Sequence, residues 1–263
     1  MNYKKELNKM VWSFSRLHLY EQCPYAFYLN YIEKREGIDN FWAENGKAMH
    51  LTLEKVFKGE ITLDEAPEFY MEEFDNICNT ASEKAMETTF EACMDFLCEF
   101  DFDFFNDYEV IGVEKEVRFE IGGFEFKGFI DLLLKHKETG KITVLDYKSS
   151  PYPFKKDGKT VLKNSEENFN SYKHQMYLYS KAVIEEYGIQ PSNITWLHFK
   201  DGKFATIDFN ETEYHKSLDW ASKIIENIYK DRKFEAKTSF VMCGKLCSYR
   251  DGDCEYKGNN ESE

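Results

Sequence analysis

The chain has 263 residues, is 42% hydrophobic and 17% aromatic, and carries a formal net charge of −14. That length suits one large domain, or one domain with an insertion, with a substantial core; the acidic balance counts against a simple basic nucleic-acid coat while permitting a locally basic cleft. The N-terminal MNYKKELNKMVW has no long apolar run and no stretch approaches a membrane span, so a cytoplasmic location with no membrane contact is expected. Seven cysteines in that compartment point to thiols or metal ligands rather than disulfides. Acidic residues concentrate in 54–116, away from the lysine-rich 155–163.

Residues 13–35 predict a helix capped by Ser15, with Leu17, Leu19 and Tyr20 opening an apolar face. Cys23-Pro24 predicts a break and restart, Pro24 suiting a first helical turn, and Phe27, Tyr28 and Tyr31 continue the stripe. A second helix is predicted from about Ala43 to Phe57, where His50 and Glu54 lie four apart on one face. A single histidine on such a helix is more often a packed or surface residue than a ligand. Residues 61–108 form an acidic, aromatic helical wall in which Cys78, Cys93 and Cys98 read as small buried hydrophobes.

The period then changes to two. Val110–Phe119 predicts a strand, Gly122-Gly123 a hairpin turn, and Phe124–Lys135 a second strand. Ile142–Lys148 is a third, after a turn at Thr139-Gly140. This meander carries Asp131 and the triplet Asp146-Tyr147-Lys148 inside apolar runs. An apolar strand seldom buries a charge that is neither paired nor metal-bound. Asp146 and Lys148, two apart, share a face of their strand. If 129–131 pairs beside 145–148, two carboxylates and an ammonium converge, the groups that metal-assisted phosphodiester hydrolysis requires. Taken alone, so common a triplet favours a buried Asp–Lys salt bridge; the functional reading rests on the residues elsewhere in the chain. Glu114 or Glu116 could supply another carboxylate, the other standing on a solvated face.

Residues 149–168 predict a loop or short hairpin whose Lys155, Lys156, Lys159 and Lys163 contact phosphates or simply face solvent. A helix follows over Ser165–Tyr187, with Gln175 and Tyr179 on one face. Strands are expected at Ile194–Lys200 and Phe204–Phe209, and an amphipathic helix at Tyr214–Lys230. Cys243, Cys247 and Cys254 then crowd together. A zinc site and an iron–sulfur cluster both need four ligands, and Cys23, beside a proline, is the candidate fourth.

Taken in order, S-x-S-x-L-x-x-Y-x-x-C-P-x-x-F (Ser13 to Phe27), GKAMH ending at His50, GFID (Gly128 to Asp131), LDYKSS (Leu145 to Ser150), Q-x-x-x-Y (Gln175 to Tyr179) and the three late cysteines resemble the RecB-like branch of the PD-(D/E)XK nucleases. The resemblance is nearest to its iron–sulfur members, which include the AddB nuclease domain and the CRISPR-associated adaptation nucleases. It implies an α/β fold with a restriction-endonuclease-like core. That core has a mixed central sheet, flanking helices, a helical lobe and a cysteine-ligated cluster joining the N- and C-terminal segments. The whole of 1–263 is then one nuclease domain, with a helical part at 11–108, a catalytic sheet core at 109–210 and a C-terminal helix and cysteine cluster at 211–263.

By the same resemblance His50, Asp131 and Asp146 ligate Mg2+ or Mn2+, helped by the backbone carbonyl of Tyr147. Lys148 orients or activates water and stabilises developing negative charge. Gln175 and Tyr179 lie along the cleft and position the DNA strand or Lys148. Cys23, Cys243, Cys247 and Cys254 hold a [4Fe–4S] cluster. Their late spacing, C-x3-C-x6-C, departs from the family's usual C-x2-C-x5-C, which keeps structural Zn2+ as the alternative. The implied activity is metal-dependent DNA cleavage, as an exonuclease on single strands or duplex ends, in recombination, repair or replication. The competing expectations are an end-binding and trimming module of a larger adaptation or helicase–nuclease complex, and a zinc-stapled scaffold. No G-x4-GK[ST] motif is present, so a helicase or recombination partner would be a separate chain.

Overall fold

A computed structural model describes residues 3–77, 81–239, 241–250, 252 and 254–256. In chain order the helices are α1 (Tyr3–Leu7), α2 (Phe14–Gln22), α3 (Pro24–Phe27), α4 (Phe41–Lys58), α5 (Ala66–Asp75) and α6 (Glu83–Glu99). Strands β1 (Tyr108–Ile121), β2 (Phe124–His136) and β3 (Ile142–Lys148) come next. Helix α7 (Glu166–Tyr187), strands β4 (Asn193–His198) and β5 (Lys203–Asp208), and helix α8 (Glu211–Lys230) follow. The chain divides into two compact units.

One unit comprises Met1–Asn40, Arg118–Lys127 and Lys216–Glu263. Ser13, rather than the expected Ser15, caps α2, because its extended backbone lets its hydroxyl accept from the Arg16 N–H at 3.3 Å. The chain extends at Cys23, and Pro24 starts α3 as its missing N–H allows. Buried Trp12 exchanges backbone hydrogen bonds with Glu125 and Lys127, each 2.8 Å, near the Gly122-Gly123 turn. Both turn glycines have positive φ, 58° and 82°, which such a tight turn demands. From α8 this unit buries Ala221, Ile224, Ile225 and Ile228, at the three- and four-residue spacing of a core-facing stripe.

The other unit comprises Phe41–Val117 and Gly128–His215. The sheet order is β1-β2-β3-β4-β5. β2 and β3 are antiparallel, with Leu132 opposite Leu145, and β4 and β5 are antiparallel. β3 and β4 are parallel, which requires the crossover that α7 supplies. One face of the sheet packs Leu132, Leu145, Tyr147 and Leu197 into a core with Met49, Leu53, Tyr70 and Phe96 of α4, α5 and α6. On α7, Phe169 meets Trp196 of β4 at a ring distance of 5.0 Å. Six of the seven β3 residues are therefore buried, and the strand reads as a continuous apolar run.

The expected wall at 61–108 is α5 and α6 with a connection between them; Cys78 lies outside the described residues. Cys93 is buried as expected, but Cys98 is exposed. The inward face of α6 carries Cys93, Phe96 and Leu97, and the next residue turns to solvent. The 155–163 segment is a small hairpin closed by a bridge between Phe154 and Val161.

Candidate active site

The site gathers at the carboxyl end of β3. Helix α4 anchors Met49 and Leu53 in the core, which leaves His50, next to Met49, against the inner strands β2 and β3. Its Nδ1 lies 3.4 Å from Asp131 Oδ2 and its Nε2 3.1 Å from the Tyr147 carbonyl. Asp131 follows the Leu132–Leu145 rung, and its Oδ2 accepts the Tyr147 N–H at 2.7 Å. The carboxylate thus takes a place that a ladder carbonyl would otherwise fill.

Asp146 and Lys148 share a face of β3, as two-residue spacing requires. The Lys148 ammonium is 2.5 Å from Asp146 Oδ2, and donates to Gln175 Oε1 at 3.0 Å. Gln175 in turn donates from Nε2 to Asp146 Oδ1 at 3.0 Å. One amide from α7 therefore holds both members of the pair. The Lys148 ammonium also sits over the Tyr172 ring, 4.4 Å from its centroid. Asp131 and Asp146 are 7% and 3% exposed, so these are buried charges with dedicated partners.

Of the two strand glutamates, Glu114 joins the site. Inside β1 it has φ 45°, a left-handed conformation costly for a residue with a Cβ. One ligand atom from each of His50, Glu114 and Asp131 falls within 4.8 Å of the others, the described residues' one such group. Glu116 is exposed.

The electrostatics follow from burial and crowding. Burial and then the nearby Asp131 push the Glu114 carboxyl up to about 7. Burial raises Asp146 to about 6, with Lys148 opposing and Asp131 adding to the rise. Burial opposes charging of His50, but Asp131 outweighs it and carries the imidazole up to about 9. An imidazolium suits both of its neighbours, each an acceptor. Burial likewise opposes the Lys148 charge, yet Asp146 and Tyr172 prevail and raise its pKa. Asp131 is held low despite burial, by His50 and the Tyr147 N–H.

Tyr179, one turn beyond Gln175, is buried with its ring against Gly128. The groove around the site has a volume of about 540 Å3 and is also lined by Trp42, Gly46 and Lys47 of α4. Lys155, Lys156, Lys159 and Lys163 are exposed on their hairpin and do not line it. Sequence reasoning passed over Trp42 and Tyr172. Trp42 was findable, since 42, 46, 50 and 54 recur at the helical interval that already linked His50 to Glu54.

Cys23, Cys243, Cys247 and Cys254 all line one cavity of about 230 Å3 in the unit that contains Trp12. Burial pushes the Cys247 thiol up, the Tyr249 N–H on its sulfur at 3.4 Å opposes this, and the other three cysteines add to the rise.

The family model for the PD-(D/E)XK nuclease superfamily matches residues 11–257. No curated protein sequence matches the chain. Among solved structures, a Eubacterium rectale protein described as a proposed exonuclease is 14% identical, with a TM-score of 0.55 over 100% of this chain and 92% of that one. At that identity the likeness is one of fold. The structure of SSO0001 aligns at 15% identity over 98% of each chain, with a TM-score of 0.32, too low to carry an argument.

Proposed function

The chain belongs to the PD-(D/E)XK nuclease superfamily, and from that membership we propose a Mg2+- or Mn2+-dependent deoxyribonuclease that acts as an exonuclease on single strands or duplex ends. The observation that carries this reading is the convergence of His50, Glu114 and Asp131 beside the Asp146–Lys148–Gln175 cluster. The donor set fits a hard divalent cation: oxygens and an imidazole, no thiolate, and carboxyls whose raised pKa values mark negative charge awaiting compensation. His50, Glu114, Asp131 and Asp146 would hold the ion, with the Tyr147 carbonyl close by. Such an ion polarises the scissile phosphate and lowers the pKa of water.

The chain's own groups do the rest. Lys148, kept charged by Asp146, donates hydrogen bonds and so orients the attacking water or a phosphate oxygen rather than taking a proton. It also offsets the charge that develops on the phosphate. Gln175 keeps the ammonium aimed, and Tyr179 packs α7 against β2 so that Gln175 keeps its place.

The four cysteines suit a [4Fe–4S] staple. Four thiols on one cavity could also hold a single zinc, which colour and metal content distinguish. A cluster there would join distant parts of the sequence and constrain the unfolded chain.

A DNA single strand labelled at either end, incubated with Mn2+ or Mg2+, tests the activity. Products should shorten from one end, and Asp146→Ala and Lys148→Ala should each slow cutting on the order of 10²- to 10³-fold while circular dichroism stays unchanged. A strand retained but left intact by the wild type, with both substitutions indifferent, would replace this reading with a binding module. Anaerobic purification tests the staple: brown protein absorbing near about 400 nm supports iron–sulfur, and colourless protein with one zinc supports the alternative.

A further inference from the structure

We propose that the groove-facing side of α4 seats a nucleotide flanking the cut bond, Trp42 stacking on its base and Gly46 leaving the space its sugar and phosphate cross. The inference deepens the nuclease reading and rests on it. It assigns the site a preference for unpaired strand of any sequence.

Gly46 carries the argument. It sits in the middle of an 18-residue helix, where glycine is disfavoured against alanine. Its φ is not positive, and an added Cβ would meet only Ser149 Oγ at 4.0 Å, an ordinary contact. Neither backbone nor packing calls for glycine at this position. What a side chain would intrude upon is the groove itself, which Gly46 lines between Trp42 and His50. Four-residue spacing puts all three on one helical face, with Trp42 about 12 Å along the axis from His50.

Trp42 has the properties of a platform. It is half-buried, and its ring meets that of fully buried Phe41 edge-on, at 6.0 Å and 75°. The indole is therefore held, with part of its surface toward the groove. Base stacking on an aromatic ring is indifferent to sequence, but it needs a base released from its partner. Lys47, exposed on the same wall, places a cation where the strand's phosphates pass.

The test is a cycle between protein and substrate. End-labelled single-stranded oligodeoxynucleotides carry one abasic position, moved along the strand, and are cut in Mn2+ by wild type, Trp42→Ala and Trp42→Phe. For wild type, one abasic position should raise KM about tenfold with kcat little changed. Trp42→Ala should raise KM on intact strand by a similar factor and be blind to that abasic position, and Trp42→Phe should recover part of the loss. Gly46→Ala should raise the melting temperature, and Gly46→Leu should raise KM without lowering the melting temperature. An abasic penalty that persists in Trp42→Ala, or a wild-type KM in Gly46→Leu, overturns the proposal. The same cycle is read by anisotropy in Ca2+. If the wild type binds but does not cut, the nuclease reading fails, and the abasic cycle in binding still decides the seat.

Discussion

Gly128 lies so close under the ring of Tyr179 that a methyl group there would stand 2.3 Å from Tyr179 Cε1. The glycine of the GFID segment is thus a packing requirement between β2 and α7. Gly128→Ala should push the ring and the helix carrying Gln175 away from the strand. Overpacking of this kind costs about 1–3 kcal/mol, to be measured by denaturant unfolding. Cleavage should fall further than that loss explains at temperatures where the variant is folded, because Gln175 loses its hold on Asp146 and Lys148.

Glu114 combines a carboxylate with a strained backbone, and two substitutions separate them. Glu114→Ala and Glu114→Gly both remove the carboxylate and should weaken Mn2+ binding equally. Only glycine relaxes the φ of 45°, so Glu114→Gly should be the more stable by about 1 kcal/mol. Calorimetric metal titration and thermal unfolding of the pair read the two effects independently.

Metal binding should release protons. Below about 9 His50 carries a proton that a ligand nitrogen cannot keep, and Glu114 is half-protonated near 7. At pH 7 roughly one to two protons should leave per Mn2+ bound, so affinity rises with pH across this range. Titration calorimetry in two buffers of different ionisation enthalpy counts them. Glu114→Gln should lower the count, and a count of zero would contradict the ligand set.

His174 on α7 predicts acid sensitivity outside the site. Burial, then the neighbouring Lys173, lowers its pKa to about 4, with Glu213 opposing. As pH falls below the ordinary histidine value of about 6.5, the unfolded chain takes the proton first. Stability is therefore full above that value and is lost progressively toward pH 4. Urea unfolding of wild type and His174→Gln at stepped pH should show a shallower decline in the variant.

The acidic and basic residues of the site were legible because a charge inside an apolar strand has few explanations. Asp131, Asp146 and Lys148 stood out for that reason, and Gln175 with Tyr179 because helical spacing paired them. Glu114 could not be separated from Glu116, since alternation puts both on one strand face and a left-handed residue inside β1 leaves no mark in the sequence. Ser13 and Ser15 were equally good caps by composition, and only the extended backbone at Ser13 decides between them. Cys98 was misjudged from apolar neighbours that themselves face the core. Trp42 shares the helical interval of His50 and Glu54, but a tryptophan beside Phe41 also looks like core, and half of that pair is.

Neither compact unit is one contiguous stretch of this chain: each is assembled from pieces that the other interrupts. During synthesis Cys23 emerges ahead of the other unit, and Cys243, Cys247 and Cys254 only after it. A group shared by all four thiols could be inserted only once the intervening unit has been made. A chain cut ahead of Cys243 would carry His50, Glu114, Asp131, Asp146, Lys148 and Gln175 but none of the three later thiols.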